Sequence, residues 1–210
     1  TNSGFYDSWY WNGASETQVT NSGGADVFPS LHNGTIAWYG GNPADTTTYE
    51  IYFWDGSNVQ QITNNAVADW EVSNYNGNLA WSQWDNQDYE IIYRVGNTTT
   101  TVTNNNQNDS FPSLYDGAIA WHANDGNDSE IYFWDGTPGA NPFMVTNNST
   151  NDWNPSLFMN TVAWHGWDGN DWEVYYWDGG VTTKVTNNNT PDFSVSFHDG
   201  LLAYQGQDSS

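Results

Sequence analysis

Three short stretches place acids at one repeated spacing. They are Asp85-Asn86-Gln87-Asp88-Tyr89-Glu90, Asp125-Gly126-Asn127-Asp128-Ser129-Glu130 and Asp168-Gly169-Asn170-Asp171-Trp172-Glu173. Ca²⁺ takes six to eight oxygens from carboxylates, amides and carbonyls at flexible spacing. Asp85, Asp88, Asp125, Asp128, Asp168 and Asp171 are therefore candidate Ca²⁺ ligands. The stretches are shorter than an EF-hand loop and lack its final spacing. The other reading is an ordinary solvated turn, with Glu90, Glu130 and Glu173 opening the next strand. The matching region near the start has only Asp45 and Glu50, so occupancy is not expected to be five-fold.

A second set of acids recurs once per unit of sequence: Asp26, Asp69, Asp109, Asp152 and Asp192. Gathered around one channel mouth, carboxylates about 6 Å apart at an effective dielectric of about 20 repel by about 3 kcal/mol per pair. Such a ring calls for a cation or for raised pKa values, unless each Asp caps its own loop as an Asx turn. Tryptophan divides similarly. Trp38, Trp81, Trp121 and Trp164 recur at one position and read as core, while Trp54, Trp134 and Trp177 recur just before a turn and read as packing. Trp70, Trp84, Trp153, Trp167 and Trp172 do not recur from unit to unit and lie in or beside the acidic loops. Aromatic rings beside Asp and Asn are the composition of a sugar-binding surface, so these five are candidate ligand-binding residues; the alternative is that they pack loops together.

Catalytic groupings are sparse. His32, His122, His165 and His198 show no metal-ligand spacing, and no Ser/His/Asp or Cys/His set is apparent. A glycoside hydrolase needs two carboxylates in unlike environments. Here the recurring acid is the same Asp in every unit, with Glu71 the one symmetry-breaking carboxylate beside it. The expectation is a protein that is not an enzyme.

These residues need a scaffold, and the repeat supplies it. The Asp series advances by 43, 40, 43 and 40 residues, and the series Trp38, Trp81, Trp121, Trp164, Tyr204 takes the same steps. Repeats of 20–50 residues decide architecture. Each unit holds four short strand-like runs, in the third FPSLY, AIAWH, EIYFW and FMVT. Turn dipeptides separate them, among them Asn33-Gly34, Asn76-Gly77, Asp116-Gly117 and Asp199-Gly200 between the first two runs; such pairs suit two-residue turns that need positive φ. No helical period competes. Four antiparallel strands per unit of about 42 residues make a propeller blade. The last unit stops after its second strand, and FYDSWYWNG and ETQVT at the other terminus read as the missing two. The expected fold is an all-β, five-bladed propeller over residues 1–210, one domain, its ring closed when residues 1–20 complete the last blade. Strands running outward from the channel would put the long acidic loops on one face, where function on a rigid scaffold usually resides.

Composition narrows the partners. The chain has 210 residues, 25 acids and two bases, Arg94 and Lys184, for a formal net charge of −23. Nucleic-acid affinity comes from Lys and Arg, so nucleic acid is excluded. Fourteen Trp among 36 aromatics argue against the disorder that an acidic, Asn-rich chain would otherwise suggest. No apolar run approaches a membrane span. Cysteine is absent, so no disulfide framework exists. Thr1 reads as the start of a mature or excised chain, with no signal peptide in view. Asn33, Asn97, Asn108, Asn127, Asn147, Asn148 and Asn188 head N-x-S/T sequons, acceptors for N-glycosylation in a suitable host.

The combined pattern, TNN, then ND, PSL, G-x-IAW and D-x-EIYFWDG, resembles the bacterial TolB-type, WD-repeat-like propeller blades over the whole chain. The second blade departs most, with Arg94 and Val95 in place of Trp-Asp and no Pro before Ser73. The resemblance implies the fold and leaves the function open, because such blades occur in periplasmic, secreted and enzyme-linked proteins. The reading favoured by the residues is an extracellular or cell-surface propeller, with the periplasm as a further location. It would be stabilised by Ca²⁺ and bind a carbohydrate or an extracellular protein. Two alternatives stand beside it: a self-assembling subunit of a filament or surface layer, and a glycoside hydrolase-like enzyme at the channel mouth.

Overall fold

A computed structural model describes residues 5–208. The first four residues of the expected N-terminal completion lie outside it. The described chain is all-β apart from one 3₁₀ turn at Thr46–Thr48. Four complete four-stranded antiparallel sheets follow one another along the chain. The first blade comprises Ala25–His32, Thr35–Gly41, Glu50–Trp54 and Val59–Gln61, and the second Asp69–Tyr75, Asn78–Trp84, Tyr89–Val95 and Thr98–Thr101. The third comprises Asp109–Tyr115, Ala118–Asn124, Ser129–Trp134 and Phe143–Met144, and the fourth Asp152–Phe158, Thr161–Trp167, Trp172–Trp177 and Thr182–Lys184.

Two hairpins remain. Trp9–Trp11 pairs with Glu16–Gln18, and Asp192–His198 pairs with Leu201–Gly206. The first supplies strands three and four of a blade and the second strands one and two, so the strand complement is that of a five-bladed β-propeller. The chain forms two compact units, residues 1–104 and 105–210, with one of these hairpins in each.

The repeated residues explain the repeated sheet. Second strands carry Trp38, Trp81, Trp121 and Trp164, all at most 2% exposed. In the first unit Ala37, Ile51, Leu79 and Trp81 form one apolar cluster. In the second, Ala120, Ile131, Val162 and Trp164 do the same. The TNN tripeptide is a fastening: the hydroxyls of Thr63, Thr103, Thr146 and Thr186 each accept the backbone N–H of the residue opening the core of strand three, at 2.8 Å.

Each first strand also contains an irregularity absent from the sequence reading. Pairing to strand two jumps between Val27 and Ser30, and again at Trp70/Ser73, Ser110/Ser113, Trp153/Ser156 and Phe193/Ser196. The residue inside each bulge has a left-handed backbone: Phe28 (φ 50°), Glu71 (58°), Phe111 (56°), Asn154 (51°) and Ser194 (56°). Bulges re-aim a side chain and bend a strand. Here they turn Phe28 and Phe111 outward, 74% and 46% exposed.

Candidate functional site

The blade-opening aspartates are buried, at 0–7% exposure. Their carboxylates meet side-chain donors. The indole N–H groups of Trp38, Trp81, Trp121 and Trp164 donate to Oδ1 of Asp26, Asp69, Asp109 and Asp152 at 2.9, 2.8, 2.6 and 2.8 Å. Oδ2 of Asp69, Asp109, Asp152 and Asp192 accepts the amide of Asn65, Asn105, Asn148 and Asn188 at 2.6–2.8 Å, and Ser22 serves Asp26. The Asx turns belong to those Asn residues, whose Oδ1 accepts the N–H two residues on. The constant Asp-to-Trp spacing of twelve residues was the available signal for this pairing. Both oxygens of each Asp in the complete blades are thus committed within the blade. Burial raises the carboxyl of Asp152 above its usual value, against the opposing donors Asn148 and Trp164.

The acidic turns behave differently. In each, Oδ1 of the first Asp accepts the backbone N–H groups two and three residues on: Asp85 from Gln87 and Asp88, Asp125 from Asn127 and Asp128, Asp168 from Asn170 and Asp171. That closes the turn and drives the second Asp inward. Asp88, Asp128 and Asp171 are only 5–6% exposed. The Glu two residues later completes a triad, a role that sequence reasoning assigned only to strand opening. Each triad, Asp85/Asp88/Glu90, Asp125/Asp128/Glu130 and Asp168/Asp171/Glu173, offers one oxygen per residue, all within 4.8 Å of one another. Two oxygens on opposite sides of Ca²⁺, each 2.3–2.6 Å away, would be about 4.8 Å apart.

Several of these oxygens have no hydrogen-bond partner despite burial: both of Asp128 and of Asp171, Oδ1 of Asp88, and Oε2 of Glu130 and Glu173. Buried carboxylate oxygens are ordinarily paired. Burial first, and neighbouring acids second, raise the carboxyls of Asp88 and Asp171; burial raises that of Glu130. A divalent cation matches both the oxygens and the charge. Corresponding positions of the first blade are Asn42 and Thr48, so only Glu50 of the triad is present there. Asp45 instead caps the 3₁₀ turn through Thr47.

The five candidate Trp residues form two aromatic assemblies, one in each unit. In the first, Phe28 stacks on Tyr39 (5.7 Å, 9°), Tyr39 on Trp70 (6.1 Å, 8°), and Tyr89 meets both Trp70 and Trp84. In the second, Phe111 stacks on His122, Trp153 stacks on Trp172 (4.8 Å, 29°), and Trp172 meets Trp167 edge-on (5.7 Å). Trp70 to Trp153 and Trp84 to Trp167 are each 83 residues, the length of two blades. Blade-by-blade comparison hides this recurrence. His122 and His165 join the second assembly, and burial lowers both to about 4.

A cleft opens between the loop before strand one, Thr20-Asn21-Ser22 in the first blade and TNN in the third and fourth, and the strand-two/strand-three turn of the same blade. In the fourth it holds about 320 Å³ and is lined by Asn148, Thr150, Trp167, Asp168 and Tyr175 among others. The first-blade cleft holds about 590 Å³, with Ser22, Gly41, Asn42 and Tyr52 at matching positions. Asn105, Asn124 and Asp125 line the third, of about 670 Å³.

No protein-family model matches the chain, and no curated protein sequence matches it. Solved structures do. TolB from Acinetobacter baumannii aligns at TM-score 0.62 and 17% identity, over 93% of this chain and 55% of that one. A putative TolB from Agrobacterium tumefaciens aligns at TM-score 0.61 and 15% identity, over 84% and 72%. The β-propeller domain of the Trilobed protease from Pyrococcus furiosus aligns at TM-score 0.62 and 12% identity, over 83% and 55%, so this chain spans about half the length of that one. At these identities the likeness is one of fold: a β-propeller of TolB type. Among the described residues no helix is long and apolar enough to cross a membrane.

Proposed function

We propose that the chain is a non-catalytic, Ca²⁺-stabilised propeller whose loop-face clefts bind a carbohydrate. The recurrence of one cleft at equivalent positions of the first, third and fourth blades carries this reading. Several weak equivalent sites gain avidity together. The fourth cleft joins the apolar faces of Trp167 and Tyr175 to the hydroxyls, amides and carboxylate of Thr150, Asn148 and Asp168. A pyranose presents the complementary pair, an apolar ring face and a rim of hydroxyls. Commitment of the blade-opening aspartates of the complete blades to side-chain donors favours a binding role over acid–base chemistry, for which a glycosidase uses a pair of carboxylates in unlike roles. Calcium at the acidic turn of the third blade would fix the hairpin that forms one wall of its cleft. Calcium dependence also fits a location outside the cytoplasm, where weak Ca²⁺ modules operate.

The test is titration of soluble oligosaccharides and polysaccharides into the Ca²⁺-loaded protein, followed by calorimetry and tryptophan fluorescence. At least one glycan class should bind, and Trp167→Ala should weaken it about tenfold without lowering stability comparably. Removing the aromatic side chain under a stacked nucleic-acid base costs about 1–3 kcal/mol, and a tenfold loss places a stacked sugar at the lower part of that scale. Absence of binding across neutral, acidic and amino sugars would overturn the carbohydrate assignment. Release of reducing ends on prolonged incubation would overturn the non-catalytic one.

A further inference from the structure

The three acidic turns have the same sequence pattern, yet they do not have the same surroundings. In the fourth blade the ammonium of Lys184 lies 2.8 Å from Asp168 Oδ2 and 3.4 Å from Glu173 Oε1. Lys184 reaches the triad from strand four, where it pairs across from Tyr175. The residue at that register position is Met144 in the third blade, opposite Tyr132, and Thr101 in the second, opposite Ile92. Neither can supply a charge. The chain's only other Lys or Arg, Arg94, hydrogen-bonds Asn97 in the turn between strands three and four of the second blade.

We propose that the second and third triads are the divalent-cation sites and that Lys184 is a tethered cation which excludes the metal from the fourth. This rests on the cation reading above and adds occupancy to it. Lys184 takes the Oδ2 of Asp168, the carboxylate whose Oδ1 is already held by the turn, so a metal would have to displace the ammonium to use that residue. A bound divalent ion would also face a like charge a few ångströms away. The third blade has the same buried, unpartnered oxygens, both of Asp128 and Oε2 of Glu130, as the fourth has on Asp171 and Glu173, but Met144 stands at the register position where the fourth blade has its ammonium. The protein is therefore built with two exchangeable cations and one permanent one. The fourth blade, whose cleft includes Trp167, keeps its turn closed when calcium is scarce.

The measurement is Ca²⁺ stoichiometry of the full chain by calorimetry and native mass spectrometry at 0.15 M salt, where loosely held counter-ions are screened. Wild type is expected to take two ions, and Lys184→Met three, the third within tenfold of the others in affinity. Asp128→Asn should remove one ion from either protein. Lys184→Thr, the residue type of the second blade, repeats the test should the Met variant fold poorly. Two ions in both Lys184 variants, or three in wild type, overturns the exclusion while leaving the cation reading intact. No bound ion in any protein overturns the cation reading and this inference with it.

Discussion

Replacing Trp164 by Phe isolates the energetics of the blade-opening aspartates. The change retains most of the buried ring and removes the indole N–H that donates to Asp152 Oδ1 at 2.8 Å. A hydrogen bond to a charged group contributes about 1.5–3 kcal/mol, and the smaller ring adds about 1–2 kcal/mol of lost packing. The total at neutral pH is about 3–5 kcal/mol. For a chain of this size each kcal/mol lowers Tm by about 2–4 °C, so a fall of about 6–20 °C is expected.

The pH dependence separates the two contributions. Burial raises the folded-state carboxyl of Asp152. A raised carboxyl contributes stability that is fully present below the unfolded pKa and is lost as pH rises through the folded value. Removing a donor to the carboxylate raises it further, so the variant loses more than wild type as pH rises from about 4 to 7. Near pH 4 the protonated carboxyl needs the indole less, and the cost of Trp164→Phe should shrink by about 1–2 kcal/mol, the difference between a charged and a neutral hydrogen bond. Urea unfolding at both pH values, followed by far-ultraviolet circular dichroism, measures it. Trp54→Phe is the control, being the same ring change at a buried position packed on Ile36 and Trp38. Equal pH dependence in the two variants would refute the charged-bond account and leave packing as the whole effect.

Calcium at about 100 times Kd should stabilise by about 2.7 kcal/mol per site; two sites then raise Tm by about 10–20 °C in differential scanning calorimetry against an EDTA-treated sample. Asp128→Asn should remove about half of that rise, and a calcium-independent Tm would show the triads to be solvated turns. Burial lowers His122 to about 4. A depressed histidine contributes stability that is complete above its unfolded pKa of about 6.5 and disappears as pH falls to about 4; the upper bound is about 3 kcal/mol. His122→Gln should therefore flatten the stability-versus-pH curve between 6.5 and 4, and an unchanged slope would refute this assignment.

The fold was legible because the signals that encode it are local and periodic. Turn dipeptides, alternating apolar residues and a step of 40 or 43 residues all recur, and each blade repeats the solution of its neighbour. What was illegible depends on register. The five bulges put Phe28, Glu71, Phe111, Asn154 and Ser194 at positive φ, and no residue type marks that position. Lys184 stands 16 residues from Asp168 and meets it only because strand four pairs back on strand three. The acidic turns are plain in the sequence, but the third acid of each cluster reads there only as a strand opener. Glu130 is that too: its Oε1 accepts the backbone N–H of Asn148, which leaves Oε2 for the triad. The aspartate series suggests a ring, since spacing alone cannot distinguish five acids facing one another from acids that each face a tryptophan of their own blade, as four of them do.

That last distinction also bears on how a chain of net charge −23 buries its carboxylates. A chain with two bases cannot neutralise buried carboxylates with ion pairs, and burying an ionised carboxylate without compensation is prohibitive. Here compensation is divided by position. Next to the first strand, neutral donors suffice, because an indole and an amide each give one short bond to a different oxygen of the same Asp. At the turns, three carboxylates share too little donor capacity, since the backbone N–H groups of each turn are already spent on its first Asp. Fixed donors cannot close that deficit, whereas a cation can. In the fourth blade the chain supplies one itself, and in the second and third the remaining charge is left for solution to match.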